Sequence, residues 1–501
     1  MLLSKLLLDA GLDEQDLLSD PEVTGICPDS TRIGAGELFI AIEGTKKDGH
    51  QYLPQAICEG AAAAVVSKKA VLEGRIDPNI SAVPIVVVED TREASARLFA
   101  AWHGNPQKFL RIVGVTGTNG KTSVSRLIYE ILTRAGKKCG LVGTTGCLSH
   151  REPLDIRSAD PRANMTTPDP EELYRILAKM VEDGEEYAVM EVTSHALALS
   201  KTAPIDFEIA VFTNLTEDHL DFHGDMETYF EAKKRLFSNC GKAVINYDDK
   251  YGRRLAENIK VPVHLCSAEG RETDCAAEEI RLLGERGLEY KLVSYPLRLR
   301  VRSPLCGVFN VMNTMEAAVT CSCLGASASD MKESLAHFSG IEGRLEKLRL
   351  PPDTEFSVYL DYAHTPDALE NLIRAARSFS GQSQRIVLLF GCGGERDRQK
   401  RPIMGKIATS MADHVIITSD NCRGEDPHRI ISDVVAGAVD QASFIVIEDR
   451  REAIEYAVRN ARKGDVILLA GKGHEEYEID SRGKHPFSER ALVREFVEKY
   501  I

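Results

Sequence analysis

Apolar residues along this chain fall into short runs that end in small polar loops, and helical spacing follows most of them. Strand-type runs occur at Val23–Cys27, Glu37–Ile42, Ala62–Val66 and Val83–Val88, with helical spacing at Tyr52–Glu59. The opening MLLSKLLLDAGLDE turns acidic at Asp9 and reads as an amphipathic helix; its apolar run is too short for a signal peptide. Arg92–Trp102 reads as a linking helix. The runs Cys139–Gly143, Tyr187–Val192, Ile209–Leu215 and Ala243–Asn246 predict buried parallel strands. Tyr290–Tyr295 and Leu297–Arg302 predict a hairpin, and helices are expected around Val311–Leu324 and Asp330–Phe338. From Glu342, strands are expected at Ser357–Tyr362, Arg385–Phe390, His414–Thr418, Phe444–Ile447 and Asp465–Leu469, with helical patterns between them. That is a doubly wound, Rossmann-like layout without GxGxxG. The fold class is α/β in three domains: a small N-terminal domain at 1–92, a central domain with a mainly parallel sheet at 93–341, and a Rossmann-like domain at 342–501.

The stretch Leu110–Gly136, LRIVGVTGTNGKTSVSRLIYEILTRAG, organises the centre. A strand leads into Thr116-Gly117-Thr118-Asn119-Gly120, and helical spacing begins at Lys121-Thr122. Glycines let backbone N–H groups approach phosphate oxygens, and a helix N-terminus adds positive partial charge. Lys121 suits β/γ-phosphates and the Thr122 hydroxyl suits magnesium. GxxxxGK[ST] places glycine where this chain has Val115; the form here is GTNGKT. A helix-capping glycine turn is the plainer reading.

Other polar groups cluster at strand ends, where open α/β sheets place ligands. Glu191-Val192-Thr193-Ser194-His195 follows one run, and Thr213-Asn214-Leu215 with Asp218-His219-Leu220-Asp221-Phe222-His223 follows another. Glu191 and His219 could complete a magnesium shell with Thr122. In YFEAKKRLF, Lys233 and Lys234 point different ways by periodicity, and a solvated basic face is the plain expectation. Arg396 in GCGGERD, Arg423 in SDNCRGEDP and Glu475 in GKGHE end three later strands. Arginine forks match a carboxylate and glutamate matches an ammonium group, so these ends suggest a zwitterion pocket. The loops Asp29–Arg32 and Gly44–His50 could hold an anionic or uridine-like group, or be turns only.

At 501 residues the chain exceeds one ordinary core. Its 43% hydrophobic and 28% charged content are those of a globular protein. A net charge of −14 argues against general nucleic-acid binding. The 12 cysteines are scattered, and Cys321-Ser322-Cys323 lacks zinc-ligand spacing, so reduced thiols in a cytoplasmic protein are expected. No run approaches the ~20 apolar residues of a membrane span, and no membrane insertion is expected.

In order along the chain, GTNGKT, EVTSH, FTNLTEDHLDFHGDMETYFEAKKRLF, GVFNVMN, GRLE, DYAHTPDAL, GCGGERD and GKGHE resemble the Mur ligases, ATP-dependent amide-forming enzymes of peptidoglycan synthesis. The resemblance spans essentially the whole chain. It implies a UDP-binding N-terminal domain, a central P-loop-type ATPase domain and a C-terminal domain that binds the amino acid. Within the family it is closest to the member that joins meso-diaminopimelate to UDP-MurNAc-L-Ala-D-Glu, with ATP and magnesium, as a cytoplasmic monomer. It implies that Gly117, Thr118, Asn119, Gly120, Lys121, Thr122, Asn310, Asn313, Arg344 and Asp361 bind ATP. Thr122, Glu191 and His219 would ligate magnesium, and Lys233 resembles the lysine that the family carries as a carbamate; Lys121, Lys233 and His219 would be catalytic. Ser30, Thr166, Thr167, Ser194 and Lys201 would contact the UDP-muramoyl dipeptide. Arg396, Asp420, Asn421, Arg423, Gly471 and Glu475 would hold diaminopimelate. This family branch shows Asp-Asn-Pro-Arg where this chain has Asp420-Asn421-Cys422-Arg423, so the loop loses the proline constraint. Lys201 stands where relatives often carry arginine, which makes a contact there monodentate. The same chemistry with L-lysine, a folate polyglutamate ligase and a nucleotide-switched binding protein are the alternatives.

Overall fold

The computed structural model describes all residues except 13–16, 18, 45–46, 79–80, 151, 155–164, 296, 382–383 and 440–442. The chain packs as two compact units. The first comprises 1–114, 138–209 and 235–241; the second comprises 115–137, 210–234 and 242–501.

The first unit opens with helix Leu3–Asp9, which buries Leu3, Leu6 and Leu7. Strands Ile26–Cys27, Leu38–Ile40, Ala63–Ser67 and Ile85–Val88 then form a parallel sheet in that order. Ala63–Ser67 is buried along its length, and Phe39, Ala41, Leu53, Ala56, Ala64 and Val66 form the core beneath. The first two strands are shorter than their apolar runs. Within the expected anion loop, Asp48 and His50 serve the fold. The Nδ1 of His50 lies 2.6 Å from Asp48 Oδ1, and Ser67 N donates to His50 Nε2 at 3.0 Å. Thr45 and Lys46 of that loop lie outside the described residues. Asp90 caps helix Thr91–Trp102 by accepting from Arg92 N at 2.7 Å. That helix packs on Pro170–Glu182, whose apolar side is Leu173, Tyr174, Ile176, Leu177 and Met180. Cys139–Gly143 and Tyr187–Glu191 pair in parallel and are fully buried, as parallel strands covered on both faces must be. Gly146–Ser149 returns antiparallel on Cys139–Gly143, a strand that its loop-like composition hid.

In the second unit, helix Lys121–Arg134 packs against helix Phe309–Cys323. Residues 243–246 pair in parallel with Val263–Ser267, which pairs in parallel with Cys275–Leu282. The expected hairpin is present as Leu288–Ser294 and Arg298–Ser303, antiparallel to each other, with Leu288–Ser294 also pairing antiparallel with Cys275–Leu282. The later sheet runs Glu346–Lys347, Ser357–Asp361, Val466–Ala470, Ile386–Phe390, His414–Ile417, Phe444–Val446. All its pairings except the first are parallel. One face carries helices Pro366–Phe379, Lys400–Met411 and Pro427–Val435 over Leu388, Phe390 and Leu468. The other carries Arg450–Arg459 and Glu489–Tyr500 over Leu389, Ile467 and Leu469. The sheet's last strand in chain order, Val466–Ala470, inserts between Ser357–Asp361 and Ile386–Phe390, so the C-terminal ends carrying residues 391–397, 419–426 and 471–475 lie on adjacent strands. Among the described residues no helix is long and apolar enough to cross a membrane.

Candidate active site

In the second unit the Gly117–Gly120 loop wraps tightly on residues 213–216. Thr118 N donates to Asn214 O at 3.0 Å, Asn119 N to Asn214 Oδ1 at 2.9 Å, and Thr213 Oγ1 to Asn119 O at 2.5 Å. A side chain on Gly117 would overlap Thr213 Oγ1, and Gly120 sits at φ +85° with Asn313 Oδ1 2.8 Å from where a Cβ would stand. Only glycine fits either place. Lys121 folds back over the loop, donating to Gly117 O at 3.0 Å and Thr118 O at 2.8 Å.

Lys233 comes to the same loop from helix Met226–Lys234. Its Nζ donates to Gly117 O at 2.8 Å and lies 4.7 Å from the Tyr229 ring centroid. The residue is buried, whereas Lys234 pairs with Glu231 at 3.0 Å, so the solvated basic face holds for Lys234 only. Burial, and then the charge of Lys121, push the Lys233 amine well below its ordinary pKa. A neutral, buried amine is a nucleophile toward carbon dioxide, which an ammonium group is not. The folded chain there binds fewer protons than the unfolded chain, so stability rises with pH through the window below 10.5. Lys233→Met removes that term, and Gly117 O keeps its bond from Lys121. The variant is expected to be about 1 kcal/mol or more stabler at pH 7, with the gap narrowing toward pH 9 in urea unfolding. A destabilised variant would contradict this account.

His219, at φ +55°, holds its Nε2 3.3 Å from Asp218 Oδ2. Burial raises the Asp218 carboxyl, but Lys400, His219 and His364 outweigh it and hold the group well below the usual range. Lys400 Nζ is 3.5 Å from Asp218 Oδ1 and His364 Nε2 is 3.9 Å from Oδ2. Burial and the Lys400 charge lower His364 from 6.5 to about 4. Between those values the unfolded chain takes a proton that the folded chain refuses, so stability falls as pH falls through the window. His364→Gln is expected to flatten the drop in urea midpoint between pH 6.5 and 4.5; an unchanged slope would sink this reading.

Arg344 and Asp361 join this cluster. Arg344 Nη2 donates to Thr122 Oγ1 at 3.1 Å, and its guanidinium carbon lies 4.6 Å from the Tyr362 ring centroid. Asp361 accepts from Leu345 N at 2.6 Å and Ala363 N at 2.7 Å; burial raises its carboxyl and Arg344 opposes this. Arg344 Nε is buried without a hydrogen-bond partner among the described residues. An unmet guanidinium donor beside a glycine loop fits an anionic phosphate or a ribose hydroxyl. Asn313 Nδ2 donates to Asn310 Oδ1 at 2.8 Å, and Asn310 Nδ2 to Cys306 O at 2.8 Å.

At the later sheet, Asn421 Nδ2 donates to Glu475 Oε2 at 2.9 Å, and its Oδ1 accepts from Ile479 N at 3.0 Å and Lys472 Nζ at 3.2 Å. Lys472 is fully buried and also lies 3.4 Å from Asp420 Oδ1. A Cβ on Gly471 would stand 2.7 Å from Asp420 Oδ2. Arg423, at φ +53°, donates Nη1 to Gly394 O at 2.9 Å and Asn421 O at 3.2 Å. Arg396 Nη1 donates to Glu395 O at 3.0 Å. Burial, then the charge of Arg396, lower the Arg423 pKa, and burial, then Asp420, raise Glu475. Around Cys422, Arg423 N donates to Ile479 O and Gly394 N to Asn421 O, at 3.0 and 2.9 Å.

The first unit holds the remaining predicted residues. Glu191 accepts from Thr144 N at 2.8 Å and Thr144 Oγ1 at 3.0 Å, and Thr144 Oγ1 is 3.0 Å from Thr166 Oγ1. Thr167 Oγ1 donates to Glu191 O at 2.9 Å and accepts from Thr193 N at 3.0 Å. Ser194 is buried beside them at the start of helix Ser194–Ala198. Lys201 pairs with Asp169 at 2.7 Å. Ser30 is buried in a turn built by Asp29, which accepts from Thr31 N at 2.9 Å.

Sequence reading did not single out Thr144, Lys400, His364, Tyr362 or Lys472. Lys472 and His364 lie inside motifs it did quote, and a question about what neutralises Asp420 would have found Lys472.

Residues 115–321 match the family model for the Mur ligase middle domain, 343–473 that for the Mur ligase glutamate ligase domain, and 22–103 that for the Mur ligase family catalytic domain. The UDP-N-acetylmuramoyl-L-alanyl-D-glutamate–2,6-diaminopimelate ligase of Nostoc sp. is 43% identical over 487 residues, 95% of each chain. That of Gloeobacter violaceus is 42% identical over 502 residues, 100% of this chain and 98% of its own. A solved structure of a ligase of the same name superposes with a TM-score of 0.66 at 30% identity, covering 98% of each chain.

Proposed function

We propose a specific reaction for this chain, which belongs to the Mur ligase family: ATP-dependent addition of meso-diaminopimelate to the D-Glu γ-carboxylate of UDP-MurNAc-L-Ala-D-Glu. The observation that carries the amino-acid choice is the pair of guanidinium groups at adjacent strand ends. Arg423 is oriented by two carbonyls and Arg396 stands close enough to repel it. L-Lysine lacks the second carboxylate that such a pair would meet.

The enzyme is an ADP-forming ligase. The carboxylate oxygen attacks the γ-phosphorus of ATP, the bond to the ADP oxygen breaks, and an acyl phosphate forms. The amine of diaminopimelate then attacks the acyl carbon, loses a proton and expels phosphate. We assign Gly117–Gly120 and Lys121 to the phosphates, Asn310 and Asn313 to the adenine side, and Arg344 and Asp361 to the ribose and phosphates. Arg344 supports this through its unmet Nε. Hydroxyl, carbamate and imidazole donors fit magnesium, which Thr122, His219 and carbamylated Lys233 would hold in the second unit; Glu191, in the first unit, is a carboxylate suited to the same kind of ion. When bound, magnesium neutralises charge on the transferred phosphoryl group. Ser30, Thr166, Thr167, Ser194 and Lys201 are assigned to the UDP-muramoyl dipeptide. Asp420, Asn421, Gly471 and Glu475 complete the amino-acid site, with Glu475 facing the ammonium group. ATP and a UDP-linked substrate support a cytoplasmic enzyme, and we read it as a monomer.

The test is phosphate release with ATP, magnesium and UDP-MurNAc-L-Ala-D-Glu, with meso-diaminopimelate or L-lysine added. Turnover with diaminopimelate alone is expected. Turnover with lysine alone would keep the ligase and remove the role given to Arg423. Silence with both would remove the donor assignment.

A further inference from the structure

The strands Val263–Ser267 and Cys275–Leu282 bring together a cluster that the ligase reaction does not use. His264 and Cys266 are two residues apart on one strand and so share a face. Cys275 lies directly opposite Cys266 in the parallel register. The helix Phe309–Cys323 packs over these strands and ends at Cys323.

One ligand atom each from His264, Asp274 and Cys275 lies within 4.8 Å of the other two. His264 Nδ1 is 3.3 Å from Asp274 Oδ2, and Cys275 Sγ is 3.7 Å from the same oxygen. Cys323, at the end of the helix, lies near the His264 ring. In a tetrahedral zinc site, with nitrogen and oxygen about 2.0 Å and sulfur about 2.3 Å from the ion, ligand atoms stand about 3.3–3.7 Å apart. The two spacings here match such edges. The donors are one imidazole, one carboxylate and one thiol, a set that favours zinc over magnesium. Cys275 Sγ also lies 3.2 Å from Ser294 Oγ on the next strand, a hydroxyl placed to donate to a metal-bound thiolate. Cys275 is buried while His264 is half-buried and Asp274 exposed, so the cluster has a dry floor and an open side for entry.

We propose that His264, Asp274 and Cys275 form a site for a zinc-class divalent cation beside the C-terminal end of the helix, with the fourth ligand position on the open side. It is separate from the nucleotide loop: Cys323 is ten residues beyond Asn313 on that helix, about 15 Å along its axis. Sequence spacing conceals it because the ligands come from two separate stretches, at 264 and 274–275, with no CxxC among them.

The test uses the full chain, purified with chelator and reductant, then titrated with cobalt(II) as a spectroscopic probe and with zinc. One cobalt per chain is expected, with a sulfur-to-cobalt charge-transfer band that zinc abolishes and excess magnesium does not. Zinc is also expected to raise the unfolding temperature. Cys275→Ser and His264→Gln should each weaken the band-forming affinity at least tenfold, and Cys58→Ser, at an exposed thiol, should not. Cobalt bound by oxygen donors at the phosphate site gives no such band, so the two sites are distinguishable. If Cys275→Ser unfolds, His264→Gln carries the same comparison. No sulfur-to-cobalt band at micromolar metal, or a band that survives the substitutions, overturns the proposal.

Discussion

Lys121→Ala is expected to lower ADP formation by about a hundred- to a thousand-fold, with the KM for the amino acid changed only a few-fold. The ammonium group stands at the first residue of helix Lys121–Arg134 and is held by Gly117 O and Thr118 O, at 3.0 and 2.8 Å. On the proposed assignment, charge that moves onto the transferred phosphoryl group meets a donor already in place, and removing one such donor typically costs about 2.7–4 kcal/mol of barrier. A second effect adds to it. Lys121 is one of the two causes that keep the Lys233 amine deprotonated. Without Lys121, Lys233 takes up a proton at higher pH and is less able to accept carbon dioxide. Lys121→Ala and Lys233→Met should therefore be strongly non-additive, the double variant losing little more than the worse single one. Steady-state ADP release over saturating ATP and amino acid checks both points. Retention of more than a tenth of wild-type kcat in Lys121→Ala would remove the lysine from the phosphate site.

What was legible before the structure follows from how each element is stabilised. Buried parallel strands such as Tyr187–Glu191 and Val466–Ala470 announce themselves, because both faces are covered and their sequences become continuous apolar runs. Val263–Ser267 and Cys275–Leu282 do not. The second carries Glu278, Glu279 and Arg281 on exposed positions, and only its ladder partners make it a strand. The hairpin Tyr477–Asp480 and Gly483–Pro486 is mostly half-exposed for the same reason. Residue types and strand-end positions singled out the glycine loop and the Arg396, Arg423 and Glu475 set, which the structure places at strand ends. Periodicity separated Lys233 from Lys234 but could not tell that Lys233 is the buried one, since burial depends on Gly117 arriving from 116 residues away. The supporting shell was least legible. Lys472 and Lys400 look like surface lysines in sequence, yet both are buried opposite Asp420 and Asp218.

Arg423→Ala is expected to raise the KM for meso-diaminopimelate about 10- to 150-fold while leaving kcat within a few-fold. The range corresponds to losing a charge-assisted hydrogen-bond pair worth about 1.5–3 kcal/mol. The backbone at Arg423 adopts φ +53°, a conformation that non-glycine residues hold only when their surroundings fix it. Here Ile479 O fixes the backbone through Arg423 N, and Gly394 O and Asn421 O fix the guanidinium through Nη1. The group is thus set in one plane, part-buried and repelled by Arg396. A carboxylate arriving between the two arginines relieves that repulsion, so the pair contributes more to binding an anion than one exposed arginine does. Lysine at this position restores the charge but not the fork, and Arg423→Lys should recover only part of the lost affinity. Discrimination is the sharper readout. If Arg423 meets the second carboxylate, the alanine variant loses affinity for diaminopimelate but not for L-lysine, and the ratio of the two kcat/KM values collapses by the same factor. An equal fall for both amino acids would mean that Arg423 meets the shared α-carboxylate, and selectivity would then have to come from the Glu475 side of the pocket.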